Sequence, residues 1–290
     1  MTQIIESFSE VSGRYDAAFV DLWGCMHNGI EAHATAVDAM RKYRENGGTV
    51  VFVTNAPRPW RSVEKQLDRL GVPKDTWDAI ATSGDSARAA MFRGAVGNKV
   101  WFMGESHDEA FFEPPEIVDD PAPIARVDLK DADGIVCCGP FDPHADPEVN
   151  RPDFLYAKTK GLKLLCANPD IVVDRGETRE WCAGALAKLY TEMGGESLYF
   201  GKPHPPIYDL ARRRLVALGK DLPNEGIVAI GDGIHTDISG ARGEDIDSVF
   251  ISGGLAADLT KTSHNPDAEA LNAYIEKENV DPTFTMGQLR

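Results

Sequence analysis

The chain predicts an α/β fold built on an open, mostly parallel sheet, and three observations carry that expectation. Several short apolar runs lack the alternation of half-buried strands and end in Gly, Asp, Thr or Asn. Fully buried parallel strands with polar C-terminal ends have that pattern. Stretches with helical spacing separate the runs, and two of them close on a glycine in the C-cap position. The length of 290 residues exceeds the usual size of one domain, which favours one large domain or two moderate ones.

In chain order, AAFV at 17–20 runs directly into Asp21 and then LWGCMHNG. A helix-like stretch from about Thr35 to Glu45 precedes TVVFV at 49–53, which ends at Thr54 and Asn55. RPWRSVEKQLDRLG at 58–71 has helical spacing. KVWFMG at 99–104, GIVCCG at 134–139 and LKLLCANPD at 162–170 are strand candidates of a second α/β unit. Between them, EPPEIVDDPAPIARVDLKDAD and GPFDPHADPEVNRPDF read as loop or edge strand, because proline cannot donate to a ladder. PIYDLARRRLVALG at 206–219 is the next helical stretch. GIVAI at 226–230 then ends in GDGIHTDISGAR, and SVFIS at 248–252 runs into GGL. The expected plan is a core from both ends of the chain, residues 1–80 and 195–290, with a smaller domain, 81–194, inserted between them. The first boundary falls near Ile80 to Gly84.

Composition narrows the function classes. Hydrophobic residues make up 42% and charged residues 26%, the proportions of a globular protein and not of a disordered tail. No segment reaches the ~20 apolar residues that cross a bilayer, so no membrane partner is expected. The start, MTQIIESFSEVSGRYDAAF, carries Glu6 and Glu10 and lacks the basic opening and apolar run of a signal peptide, which points to the cytoplasm. Cys25, Cys137, Cys138, Cys166 and Cys182 are odd in number and scattered, so structural thiols are expected, not a disulfide framework or a zinc cluster. A net charge of -16 repels phosphate backbones and argues against nucleic acid. A chain this acidic that handles an anion must gather positive charge locally, through a metal, a lysine or helix N-termini.

Asp21 needs such a compensator. A carboxylate at the end of a buried strand is costly to keep charged without a cation or dense hydrogen bonding, and a metal ion is the expected partner. Asp21, Thr54 with Asn55, Lys202, and Asp232 with Asp237 all follow strand-like runs and are expected to converge at one sheet edge as a phosphate site. A carboxylate can attack phosphorus, hydroxyl and amide groups can hold oxygens, and an ammonium can balance charge. Magnesium favours oxygen ligands, so two carboxylates, a backbone carbonyl and a phosphate oxygen would suffice. Bland roles are open to the same residues: a helix N-cap for Asp237, a strand-end turn for Thr54 and Asn55, a solvated charge for Lys202.

In order along the chain, DLWGCMHNG, VFVTNAPRP, FGKPHPPIYDLA and IGDGIHTDISGAR resemble the four core motifs of the haloacid dehalogenase superfamily, class IIA. TSGD at 82–85, CANPD at 166–170 and CAGALAKLYTEMGG at 182–195 resemble segments of that class's inserted domain. The resemblance implies a Rossmann-like core with an inserted α/β cap of the C2 type. It implies a magnesium-dependent phosphatase that acts on a small phosphorylated metabolite, with homodimers formed through the cap. By the same resemblance, Asp21 is the nucleophile that forms an aspartyl-phosphate. Asp21, the backbone carbonyl of Trp23 and Asp232 bind Mg²⁺, Thr54, Asn55 and Lys202 hold the phosphoryl group, and Asp237 supports the metal or its waters.

Trp23 departs from the pattern, standing where the phosphatases have an acid that protonates the leaving oxygen and activates water. Such groups contribute ~10² to 10⁴ in rate, so alkyl phosphates are expected to be poor substrates and aryl or acyl phosphates better ones. His27 is the nearest substitute acid, with Asp174 and Glu177 of the inserted domain as others. Two alternatives stay open. A large aromatic at this position also resembles the metal-free dehalogenase branch, although Asp232 and Asp237 would have little reason to sit there. The other alternative is a phosphate-ligand binder with slow turnover.

Overall fold

The computed structural model describes residues 2–175 and 178–290. The first part of the chain forms β1 (Gln3–Ile4), β2 (Ala17–Val20), α1 (Ala34–Glu45), β3 (Thr49–Thr54), α2 (Trp60–Leu70) and β4 (Ala79–Thr82). The middle forms α3 (Ser83–Phe92), β5 (Lys99–Met103), β6 (Ala125–Arg126), β7 (Gly134–Cys137), α4 (Arg151–Thr159) and β8 (Lys163–Cys166). After β9 (Val172–Arg175) and β10 (Thr178–Trp181) come α5 (Ala183–Glu192) and β11 (Glu196–Tyr199). The last part forms α6 (Pro205–Ala217), β12 (Ile227–Gly231), α7 (Ser239–Gly243), β13 (Asp247–Ile251), α8 (Ala268–Glu278) and β14 (Phe284–Met286).

The chain divides into two compact units. The first contains Met1–Thr54, Glu64–Ala81 and Lys202–Arg290, and the second Asn55–Val63 and Thr82–Gly201. In the first, seven strands lie in the order β1-β14-β13-β12-β2-β3-β4. From β1 through β3 each neighbouring pair is parallel. β2, β3 and β12 are buried at every position, which explains why their sequences are unbroken apolar runs.

The chain leaves β2 toward β3 on one side and β12 toward β13 on the other, although β2 and β12 are hydrogen-bonded neighbours. That reversal is a switch point, where open α/β sheets leave a crevice beyond the carboxyl ends of two strands.

The second unit contains a five-stranded parallel sheet, ordered β11-β8-β7-β5-β6. Alternate residues feed two cores. Ile135, Cys137, Leu164 and Cys166 pack with Phe154, Leu186 and Tyr190, while Val136 and Leu165 pack with Ala87, Met91 and Phe111. Both faces are therefore covered, which matches the short, non-alternating runs of the sequence. β9 and β10 pair antiparallel as a separate ribbon.

Helix α4 begins inside a stretch whose prolines suggested loop or edge strand. Pro152 occupies the first helical turn, where its missing N–H has no intrahelical partner to lose and its fixed φ suits a helix. The proline thus starts an element instead of preventing one. Among the described residues, no helix is long and apolar enough to cross a membrane.

Phe154 of α4 is fully buried, with its ring 5.2 Å from that of Tyr190. Phe154→Ala is expected to lower stability by about 3–5 kcal/mol, read as a shift in the urea unfolding midpoint. An unchanged midpoint would mean that α4 does not seal this core.

Candidate functional site

β2 contributes four buried apolar residues and then Asp21, whose N–H donates to the Ile230 carbonyl of β12 at 2.8 Å. β12 ends at Gly231, so Asp232 leaves the adjacent strand at the same end of the sheet. Thr54 closes β3 two residues beyond Phe52, which is in register with Val20. The sheet alone therefore carries Asp21, Thr54 and Asp232 to one edge, and all three are buried.

The turn after β2 is tightly bonded. Leu22 O accepts from Met26 N–H at 2.8 Å and His27 N–H at 3.1 Å, and Gly24 N–H donates to His27 O at 3.0 Å. Gly24 has a φ of +71°, and a Cβ there would collide with the Asp232 carboxylate. Glycine is thus required both by the backbone and by the acid beside it. The Trp23 indole lies against Gly29, where a Cβ would meet the ring, and stacks edge-on to His27 at 5.2 Å. Asn28 Oδ1 closes the far side of the loop by accepting from the N–H groups of Ile30 and Glu31, each at 2.9 Å.

After Asp232 the chain makes one wide π turn, Ile234–Ile238. Such turns are rare and frequent at functional sites. This one returns Asp237 to the crevice, where its Oδ2 accepts from Gly233 N–H at 3.2 Å. Lys202, three residues before α6, is buried and donates from Nζ to Asp21 Oδ1 at 2.6 Å and Asp237 Oδ1 at 2.7 Å. Asp237 is therefore in direct contact with the ammonium. Asp232 Oδ2 accepts from Leu255 N–H at 3.0 Å.

The electrostatics follow from burial. Desolvation alone would lower the Lys202 ammonium, but Asp21 and Asp237 outweigh it and hold the pKa well above the ordinary lysine value. Desolvation, reinforced by Asp21 and Asp237, pushes Asp232 well above the ordinary carboxylate range. Asp237 is also raised by burial, although Lys202 opposes the shift. These carboxylates are held close together against their mutual repulsion.

Asn55 follows Thr54 but belongs to the second unit, where its Nδ2 donates to Asp170 Oδ1 at 2.8 Å. His27 is buried, and its Nδ1 accepts from Gly29 N–H at 3.1 Å. Burial, with His33 adding to it, lowers the ring from 6.5 to about 4. His27 is thus neutral at pH 7, with one nitrogen committed to the loop, and is a weak proton donor there. Asp174 lies on β9. Glu177, the other carboxylate singled out in the inserted segment, is outside the described residues.

Sequence reasoning treated Cys25 as a structural thiol. The structure places one ligand atom each of Asp21, Cys25 and Asp232 within 4.8 Å of one another. The only sequence signal was position, four residues after Asp21 in the same tight turn.

Comparison with known proteins agrees with this architecture. A family model described as haloacid dehalogenase-like hydrolase matches residues 18–115, and a second, HAD-hydrolase-like, matches residues 199–274. The crystal structure of a hydrolase of the haloacid dehalogenase-like family from Brucella suis 1330 is 34% identical. It superposes with a TM-score of 0.85 over 99% of this chain and 100% of that one. The 5'-nucleotidase YutF of Bacillus subtilis is 23% identical over 87% of this chain and 91% of its own length. A 4-nitrophenylphosphatase from Thermotoga maritima, at 20% identity, shares the fold with a TM-score of 0.70 over 96% of both chains.

The buried His27 gives the turn a pH dependence whose sign is fixed. The folded state keeps the ring neutral down to about pH 4, whereas the unfolded chain takes up a proton near 6.5. The stability that His27 contributes is therefore complete above pH 6.5 and is lost as pH falls toward 4, by up to about 3 kcal/mol. In urea unfolding between pH 7.5 and 4.5, His27→Gln is expected to flatten that decline. An equally steep decline in the variant would place its cause elsewhere.

Proposed function

Because this chain belongs to the haloacid dehalogenase-like hydrolase family, we propose that it is a magnesium-dependent phosphatase that acts on a small phosphorylated metabolite through an aspartyl-phosphate on Asp21. The observation that carries the reading is the Lys202 ammonium bonded to both Asp21 and Asp237 in a buried crevice that also holds Asp232. Relatives named as a 5'-nucleotidase and a 4-nitrophenylphosphatase support phosphate esters as the substrate class.

The donor set suits magnesium. Asp21 and Asp232 offer carboxylate oxygens within 4.8 Å of one another, and the family resemblance implies the Trp23 carbonyl as a third oxygen. Burial raises Asp232 most, and Asp21 and Asp237 add to the shift; a divalent cation would offset that carboxylate repulsion. When bound, the ion supplies neutralisation and orientation of a phosphate oxygen.

The chain's own residues supply the remaining steps. An Asp21 carboxylate oxygen attacks phosphorus, a P–O bond forms, and the bond to the leaving oxygen breaks. Lys202 keeps Asp21 ionised and balances charge on the phosphoryl oxygens, which the Thr54 hydroxyl and nearby backbone N–H groups hold. Asp237 positions Lys202 by the second ion pair. Water then attacks phosphorus, releasing inorganic phosphate and restoring the Asp21 carboxylate. The resemblance makes a homodimer possible, and five free thiols suit the cytoplasm.

Trp23 sets the limits of this chemistry. An indole cannot protonate the leaving oxygen, and the neutral His27 is a poor replacement. With neither of these supplying the proton, the leaving group departs largely unaided, which favours aryl and acyl phosphates over alkyl ones.

A panel of phosphate monoesters graded by leaving-group pKa tests the proposal. The expected outcome is magnesium-dependent phosphate release that falls steeply as that pKa rises, stops on chelation and is abolished in Asp21→Asn. Full activity in Asp21→Asn would refute the nucleophile assignment. Tight magnesium-dependent binding of the esters without release would favour the binder, and metal-independent chloride release from a haloacid the dehalogenase. Trp23→Asp is expected to raise alkyl-phosphate hydrolysis by about 10²- to 10⁴-fold, measured as kcat/KM. No gain in that variant would place the deficit outside position 23.

A further inference from the structure

The magnesium reading leaves one polar atom of the crevice without a role. Cys25 is 1% exposed, and its Sγ has no part in the magnesium site. That sulfur, one oxygen of Asp21 and one of Asp232 all lie within 4.8 Å of one another. We propose that Cys25 is a sulfur ligand that turns the Asp21 and Asp232 pair into a site for thiophilic divalent cations such as Co²⁺ or Zn²⁺. The inference rests on the metal reading of the crevice and adds to it which ions the chain selects.

Coordination geometry permits this. Metal–oxygen bonds of about 2.1 Å and a metal–sulfur bond of about 2.3 Å put the donor atoms of one tetrahedral ion about 3.6 Å apart. A contraction of up to about 1.2 Å would bring the three donors, now within 4.8 Å of one another, onto a single ion. The turn limits larger movement, because Cys25 sits between Gly24, whose N–H is bonded to His27 O, and Met26, whose N–H is bonded to Leu22 O. These three side-chain donors leave the fourth position of a tetrahedral ion to the Trp23 carbonyl or a phosphate oxygen. The thiol proton leaves to solvent as the sulfur–metal bond forms.

Ligand softness gives the selectivity. Magnesium prefers oxygen and gains little from sulfur, whereas thiolates select softer ions. Co²⁺ and Zn²⁺ would therefore compete with Mg²⁺ for the crevice, and the competition would depend on the atom at position 25. The other four cysteines belong to the second unit and are remote in sequence from this turn.

The test is a Co²⁺ titration of the metal-free full-length chain, followed by near-ultraviolet absorption and equilibrium dialysis, with Mg²⁺ dialysis in parallel. The wild type is expected to bind Co²⁺ with a sulfur-to-cobalt charge-transfer band. Cys25→Ser should lose that band and weaken Co²⁺ binding by about 10- to 100-fold, at least the cost of losing an outer partner of a metal ligand. The wild-type band is read without any variant, and Cys25→Ala provides a second substitution if serine disturbs folding. Bound Co²⁺ without the band, or with an unchanged band and affinity in Cys25→Ser, overturns the sulfur ligand while the metal reading stands. No binding of Co²⁺ or Mg²⁺ to the wild type overturns both.

Discussion

One ammonium shared by two carboxylates is the contact on which the crevice depends. Asp21, Asp232 and Asp237 are buried together, and Lys202 is the buried cation bonded to two of them. Two like charges 4 Å apart repel by about 4 kcal/mol at the effective dielectric of a partly buried site, so three uncompensated carboxylates would not stay ionised there. Lys202 offsets part of that repulsion, while burial first and the neighbouring carboxylates second raise Asp232 and Asp237.

The surrounding structure keeps that contact in place. The switch point between β2 and β12 sets Asp21 and Asp232 side by side. The π turn returns Asp237, and Gly24 makes room for the Asp232 carboxylate. Each device is a backbone feature, so the side chains have little freedom left to lose when a ligand arrives.

Much of this was legible in the sequence because parallel strands buried on both faces leave a plain trace. AAFV, TVVFV and GIVAI could be read as strands, and the polar residues after them as the contents of one sheet edge. Other features left weaker traces. Helix α4 was hidden because proline signals both a helix start and a loop, and only the tertiary packing of Phe154 decides between them. Cys25 reads as a core thiol because burial is the common fate of cysteine, and its closeness to Asp232 depends on a strand more than two hundred residues later. The partner of Asp237 was equally hidden, since a π turn has no clear sequence signature. Trp23 was visible as a departure from the family pattern, but its seat against Gly29 and His27 required the fold.

The ion pair between Asp21 and Lys202 joins residues 181 positions apart, with nearly all of the second unit made in between. At ribosomal speeds of about 5–20 residues per second, the carboxylate emerges some 10 to 40 seconds before the ammonium that stabilises it. During synthesis β2 therefore stands without β12, and Asp21 can remain in water at no cost until its strand partner arrives. The order of the chain postpones burial of the charge until the residue that neutralises it exists.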